Sequence, residues 1–177
     1  VALFSHLMKG RFKGNEGNLR QAMITVVAVW VTMSVLGGIP FIMYLDLPWI
    51  DAVFESVSAW TTTGFTVISD VESVPMTILF WRSLMQWMGG IGLIVAVLTG
   101  VLSMGGSLYH AEAREDRLRP NIMNTAKSIW WIYLSYTIIG VILLTVAGMP
   151  LFDSVNHSMT ALATGGMSVK NASIGSY

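Results

Sequence analysis

The 177-residue chain contains no cysteine. Disulfide frameworks, cysteine-based zinc sites and thiol catalysis are therefore excluded. Charge is scarce as well. Asp, Glu, Lys and Arg make up 11% of the residues, less than half the roughly 25% of an average soluble domain. Lys plus Arg number 10 and Asp plus Glu number 10, so the basic excess of a nucleic-acid binder is missing, and no nucleic-acid partner is expected. What the chain has in quantity is apolar. Hydrophobic residues account for 54% and the mean hydropathy is +0.64. These values exclude a disordered chain and argue against a soluble globular domain. An integral membrane protein remains. The chain begins at Val1 rather than Met, so a longer parent protein is expected.

A helix that crosses a bilayer needs about 20 mainly apolar residues. Three stretches qualify: 23–45, 76–102 and 128–149. None reads as a cleavable signal peptide, because the first lies behind a basic, Gly-containing stretch without a small-residue cleavage site. Lys9, Arg11, Lys13 and Arg20 precede the first span. Arg114, Arg117, Arg119 and Lys127 lie between the second and third. The segment 44–75 has no Lys or Arg. The positive-inside rule makes the two basic segments cytoplasmic and segment 44–75 external. A multi-pass membrane protein is expected, with membrane lipid as its surroundings.

Two further segments, 49–60 (WIDAVFESVSAW) and 151–163 (LFDSVNHSMTALA), have helical patterns but are too short to span. Each follows a proline, and Asp51 and Asp153 suit a first helical turn. Apolar segments of this length are often re-entrant. Shifting the sequence by 102 residues superposes them. Pro48, Asp51, Val53, Ser56, Ala59, Thr62, Gly64 and Val67 meet Pro150, Asp153, Val155, Ser158, Ala161, Thr164, Gly166 and Val169. The expected fold is all-α integral membrane, built from repeated units of helix, re-entrant pore helix, filter loop and helix. Residues 1–20 are a cytoplasmic linker and 21–102 the first unit. Residues 103–127 are a cytoplasmic loop, and 128–177 a partial second unit.

The loops read Thr62-Thr63-Gly64-Phe65-Thr66 and Thr164-Gly165-Gly166-Met167-Ser168. A cation filter replaces hydration water with rings of backbone carbonyls, as the TVGYG loop of potassium channels does. Aiming successive carbonyls one way requires backbone angles that glycine adopts at little steric cost. A preceding short helix points its negative end at such a loop, which favours cations. These ten residues are the candidate ion-binding positions, mainly through backbone carbonyls, and a cation at the filter is the sole metal ion expected. No cofactor and no catalytic residue are expected. Arg82 is the basic residue inside a span. Intramembrane charges usually have a partner, and Glu55 on the first short helix is the expected one, the pair bracing that helix against the second span. His157 stands where Glu55 would recur.

The segments SVSAWTTTGFTV, ILFWRSLMQWMGGIGLIVAVL, LRPNIMNTAKSIWWIYLSYT and ATGGMSVKNASIGSY resemble the TrkH-type subunit of the Trk/Ktr/HKT potassium-transporter superfamily. The resemblance runs from about Asn18 onward. It implies four fused units around one pore, of which about one and two-thirds are present. It also implies homodimers with one pore per subunit, and a cytoplasmic nucleotide-binding regulatory subunit of the TrkA or KtrA type. Glycine at the positions of Gly64 and Gly166 goes in that family with potassium conduction, and serine at the first with sodium preference in some plant members. The function implied is potassium uptake across the cytoplasmic membrane, with potassium as the cation at the filter. Two other classes stay open at this point. One is a subunit of a multimeric cation channel. The other is an intramembrane hydrolase, which would need a buried nucleophile and base that His6, His110 and His157 do not readily supply.

Overall fold

A computed structural model describes residues 19–109 and 122–177, with side chains over 24–95 and 126–177. The expected linker up to residue 18 and the charged stretch 110–121 lie outside the described residues. Within them, six α-helices follow one another: α1 (Leu19–Gly37), α2 (Ile39–Leu45), α3 (Trp49–Trp60), α4 (Met76–Tyr109), α5 (Ile122–Val146) and α6 (Leu151–Leu162). Two single 3-10 turns, Val71–Ser73 and Ser173–Ser176, complete the described structure, which has no strand. Stretches Ile24–Leu45, Met76–Val95 and Ala126–Val146 are long and apolar enough to cross a membrane.

Three boundaries differ from the sequence reading. The expected first span 23–45 is broken at Gly38, between α1 and α2. Pro40 has no N–H to continue the α1 ladder, and its fixed φ suits the first turn of a new helix. Gly38 then closes the junction by accepting from the N–H groups of Phe41 and Ile42 at 3.1 and 3.3 Å. The second helix runs past residue 102 to Tyr109, and α5 starts at Ile122, ahead of 128. Both ends of the expected loop 103–127 are thus helical. Their Gly, Ser and Asn content weakens helix propensity without forbidding it.

Much of the interior is polar and much of the exterior apolar. Glu55, Ser56, Gln86, Asn156 and Ser154 have no exposed surface, and Arg82 has 2%. Ile24, Val27, Val31, Leu143 and Val146 are exposed. In water this would be costly, because apolar surface left outside forfeits about 25 cal/mol per Å². In lipid it is the expected order, with polar side chains facing the bundle interior. Helix α4 lies against both short helices, α3 and α6, while α3 also packs on α1 and α6 on α5. Phe41, Ala52, Ala59, Ile78 and Met85 form the apolar part of this junction.

Candidate functional site: two glycine loops on one helix

The short helices α3 and α6 begin alike, with Pro48 at φ −52°, ψ 144° and Pro150 at φ −54°, ψ 143°. They also end alike. Thr62 donates to the Ala59 carbonyl at 3.0 Å, Thr63 to Ser58 at 2.9 Å and Gly64 to Ser58 at 3.4 Å. One hundred and two residues later, Thr164 donates to Ala161 at 2.9 Å, Gly165 to Thr160 at 2.9 Å and Gly166 to Thr160 at 3.4 Å. Thr62 and Thr164 take left-handed backbone, with φ of 55° and 57°. Gly64 and Gly166 follow at φ 83° and 75°.

This ladder has a geometric consequence. A trans peptide is planar, so its N–H and C=O point in opposite directions. The N–H groups of Thr63 and Gly64 turn back to the end of α3, so the carbonyls of Thr62 and Thr63 point away from it. The same holds for Thr164 and Gly165 over α6. Among the described residues, the carbonyls of Thr62, Thr63, Gly64, Thr164, Gly165 and Gly166 accept no hydrogen bond. Each loop therefore offers three consecutive free carbonyl oxygens at the negative end of a short helix.

The loops touch. A Cβ on Gly64 would collide with the Gly165 carbonyl oxygen, so only glycine permits this approach. Gly64, Thr66, Gly166, Met167 and Ser168 line one cleft of about 280 Å³, together with Arg82. Phe65 is 68% exposed and points out of the packing, whereas Met167 is buried at 3%. Thr63 shares a hydrogen bond with Thr61, their hydroxyls 2.8 Å apart. The Phe65 carbonyl is engaged, accepting from the Ser58 hydroxyl at 2.6 Å.

Behind the loops, buried polar groups hold the backbone. Arg82 Nε donates to Glu55 Oε1 at 2.8 Å, with both side chains out of contact with solvent. The same oxygen accepts from the Thr66 hydroxyl at 2.8 Å, and Oε2 accepts from the Val67 N–H at 3.0 Å. Arg82 also reaches the second loop, with Nη1 3.4 Å from the Ser168 carbonyl. At the corresponding place on α6, His157 Nε2 lies 3.1 Å from the Ser168 hydroxyl and Nδ1 lies 2.9 Å from the Asp153 carbonyl. The hold on the loop hydroxyl thus recurs with a different side chain and without an arginine.

The strands of chain beyond the two loops are clasped by Asn171. Its Oδ1 accepts from the Val71 N–H at 2.9 Å and its Nδ2 donates to Asp70 at 2.8 Å. That second bond is the main cause holding the Asp70 carboxyl below its ordinary value of 3.8. Burial raises the Tyr177 phenol, helped by its 2.6 Å bond to Asp153.

The sequence reading missed the parts of Asn171 and of Gln86, whose Oε1 accepts from the Met167 N–H at 3.2 Å. Gln86 carried a signal: it is an uncharged polar residue in mid-span, one helical turn from Arg82 and hence on the same face.

A family model described as TrkH, cation transport protein, matches residues 2–177. An uncharacterized cation transporter of Methanocaldococcus jannaschii is 42% identical over 97% of this chain and 37% of its own length. The Trk system potassium uptake protein TrkH of Escherichia coli K12 is 39% identical over 96% of this chain and 36% of its own length. The crystal structure of the potassium transporter TrkH from Vibrio parahaemolyticus is similar with a TM-score of 0.77 at 37% identity, covering 94% of this chain and 34% of that one. The chain thus spans a little over a third of the length of these curated relatives.

Proposed function

This chain belongs to the TrkH family of cation transport proteins, and on that premise we propose that residues 62–66 and 164–168 form two of the filter loops of a potassium-uptake pore. The family is one of membrane transporters and not of enzymes. In this reading α3 and α6 are re-entrant pore helices, and segments 21–102 and 128–177 are one complete and one partial pore unit. Potassium is the transported substrate and needs no cofactor. The observation that carries the reading is the pair of matched loops, in backbone contact, each with three unbonded carbonyls in a row.

Mechanistically, an ion that sheds its water must find oxygens already in place, since reorganising them costs the energy that selectivity needs. The helix-end ladders supply that preorganisation. The carbonyls of Thr62, Thr63, Thr164 and Gly165 are each aimed by the N–H of their own peptide unit, which is fixed to α3 or α6. The Glu55–Arg82 pair then fixes the outer ends of both loops. The rest of the complete protein supplies the remaining walls. We further propose that the complete protein works in the cytoplasmic membrane as a homodimer with a cytoplasmic nucleotide-binding partner.

The test is Gly64→Ser in the complete protein, expressed in a bacterium deficient in potassium uptake. A Cβ at residue 64 would meet the Gly165 carbonyl, so the spacing of the loops must change. The expected outcome is a lowered potassium-over-sodium uptake ratio and impaired growth on low potassium. An unchanged ratio would remove the filter reading.

A further inference from the structure

Gln86 is not among the groups that the filter reading uses, yet its side chain packs against the second loop and lies close to the first. It has no exposed surface. Its amide lies flat against the second loop: a Cβ on Gly165 would strike Cδ, Nε2 and Oε1 together. Its Nε2 is 3.8 Å from where a Cβ on Gly64 would stand. The one hydrogen bond of the amide is the 3.2 Å bond that Oε1 accepts from the Met167 N–H. Nε2 is buried without a partner. The orientation of the amide is therefore set by Met167 alone, because the reverse orientation would face one N–H with another.

The peptide that this bond holds is the one joining Gly166 to Met167. With its N–H drawn back toward α4, its carbonyl, that of Gly166, must point the opposite way. Gly166 lines the same cleft as Gly64. The ladder at the end of α6 stops at the N–H of Gly166, and so fixes the carbonyl of Gly165 but not of Gly166. Gly166 has left-handed backbone and no neighbour within 4 Å of a would-be Cβ. Gly166, without a Cβ, adds little steric hindrance of its own to the turning of that peptide, so its orientation rests on what holds Met167.

We propose that Gln86 is a positioning residue for ion selectivity, aiming the Gly166 carbonyl by holding the N–H of Met167. The proposal rests on the filter reading above. Its mechanism asks only for an acceptor at the position of Oε1, so shape and acceptor can be separated. Gln86→Met keeps the length and removes the acceptor. Gln86→Asn withdraws the amide by one methylene. Gln86→Glu keeps an oxygen in place.

The experiment compares the complete protein and these variants in proteoliposomes, reading potassium and sodium competition for rubidium uptake. This ratio does not depend on the amount of protein inserted. Gln86→Met and Gln86→Asn are expected to lower the potassium-over-sodium ratio by about five- to tenfold, the equivalent of one net hydrogen bond. Gln86→Glu is expected to stay close to the parent. An unchanged ratio in Gln86→Met or Gln86→Asn overturns the proposal. So does an equal loss in Gln86→Glu, which would make shape and not the acceptor responsible. Failure of both acceptor-loss variants to fold also overturns it, since Gln86 would then serve the fold. A parent protein that does not distinguish the two ions would instead defeat the filter reading itself.

Discussion

Removing either member of the Glu55–Arg82 pair tests the account most directly. Both side chains are out of contact with solvent, at 0% and 2% exposure. Arg82→Met leaves a carboxylate that keeps its bonds from Thr66 and Val67 but loses its counter-charge. Breaking a buried pair in this way costs about 3–5 kcal/mol. Glu55→Gln leaves the guanidinium buried with the amide oxygen and the distant Ser168 carbonyl as its acceptors. With its oxygen kept toward Arg82 and Thr66, it also turns an amide N–H toward the Val67 N–H, adding about 1–3 kcal/mol for an unsatisfied group. The double variant buries no charge at all. Its cost should therefore fall short of the sum of the single costs by about 2–3 kcal/mol, the upper range for residues in direct contact. Reversible unfolding of the complete protein in mixed detergent micelles measures all three. Single costs below about 1 kcal/mol, or additivity within about 0.5 kcal/mol, would refute the reasoning.

Three other expectations follow from contacts of the same kind. Gly89→Ala should destabilise by about 1–3 kcal/mol through overpacking, although alanine normally favours a helix interior, because the new Cβ would run into the Trp60 carbonyl; a thermal midpoint at or above the parent value would contradict this. Asp70 has a lowered pKa in the folded protein, chiefly from Asn171, so its bond stabilises the fold above the ordinary carboxylate value and is lost as pH falls through the folded value. Faster hydrogen exchange at the Val71 amide as pH falls below the ordinary carboxylate range, after correction for intrinsic rates, is the expected sign. His157→Ala removes the contacts to the Ser168 hydroxyl and to the Asp153 carbonyl, so uptake should persist with a stability loss of about 1–3 kcal/mol; abolished uptake with intact folding would give His157 a larger part.

Much of this fold was legible because membrane residence writes itself into composition. The three apolar stretches stand out against polar connections, and the repeat could be aligned on prolines, aspartates and glycines whose spacing is not a matter of hydropathy. The positions of Glu55 and Arg82 could be paired because charge inside a bilayer demands a partner. Pro40 is a local sign of the break at Gly38, but hydropathy, which marks the span, carries none. Asn171 and Gln86 were harder. Each acts on a backbone group about a hundred or about eighty residues away, Val71 and Met167 respectively. Nothing in local sequence records which main-chain N–H a side-chain oxygen will meet once three helices have packed.

Thr62 and Thr164 hold backbone with φ of 55° and 57°, a region that β-branched residues avoid. Each stores about 1–2 kcal/mol that a glycine would release. A chain selected for ruggedness alone would have made that exchange in both halves. Keeping threonine twice implies a trade in which durability is surrendered to gain stiffness and a hydroxyl at the tightest bend. Directed evolution of the complete protein toward heat tolerance should then drift toward glycine at both positions.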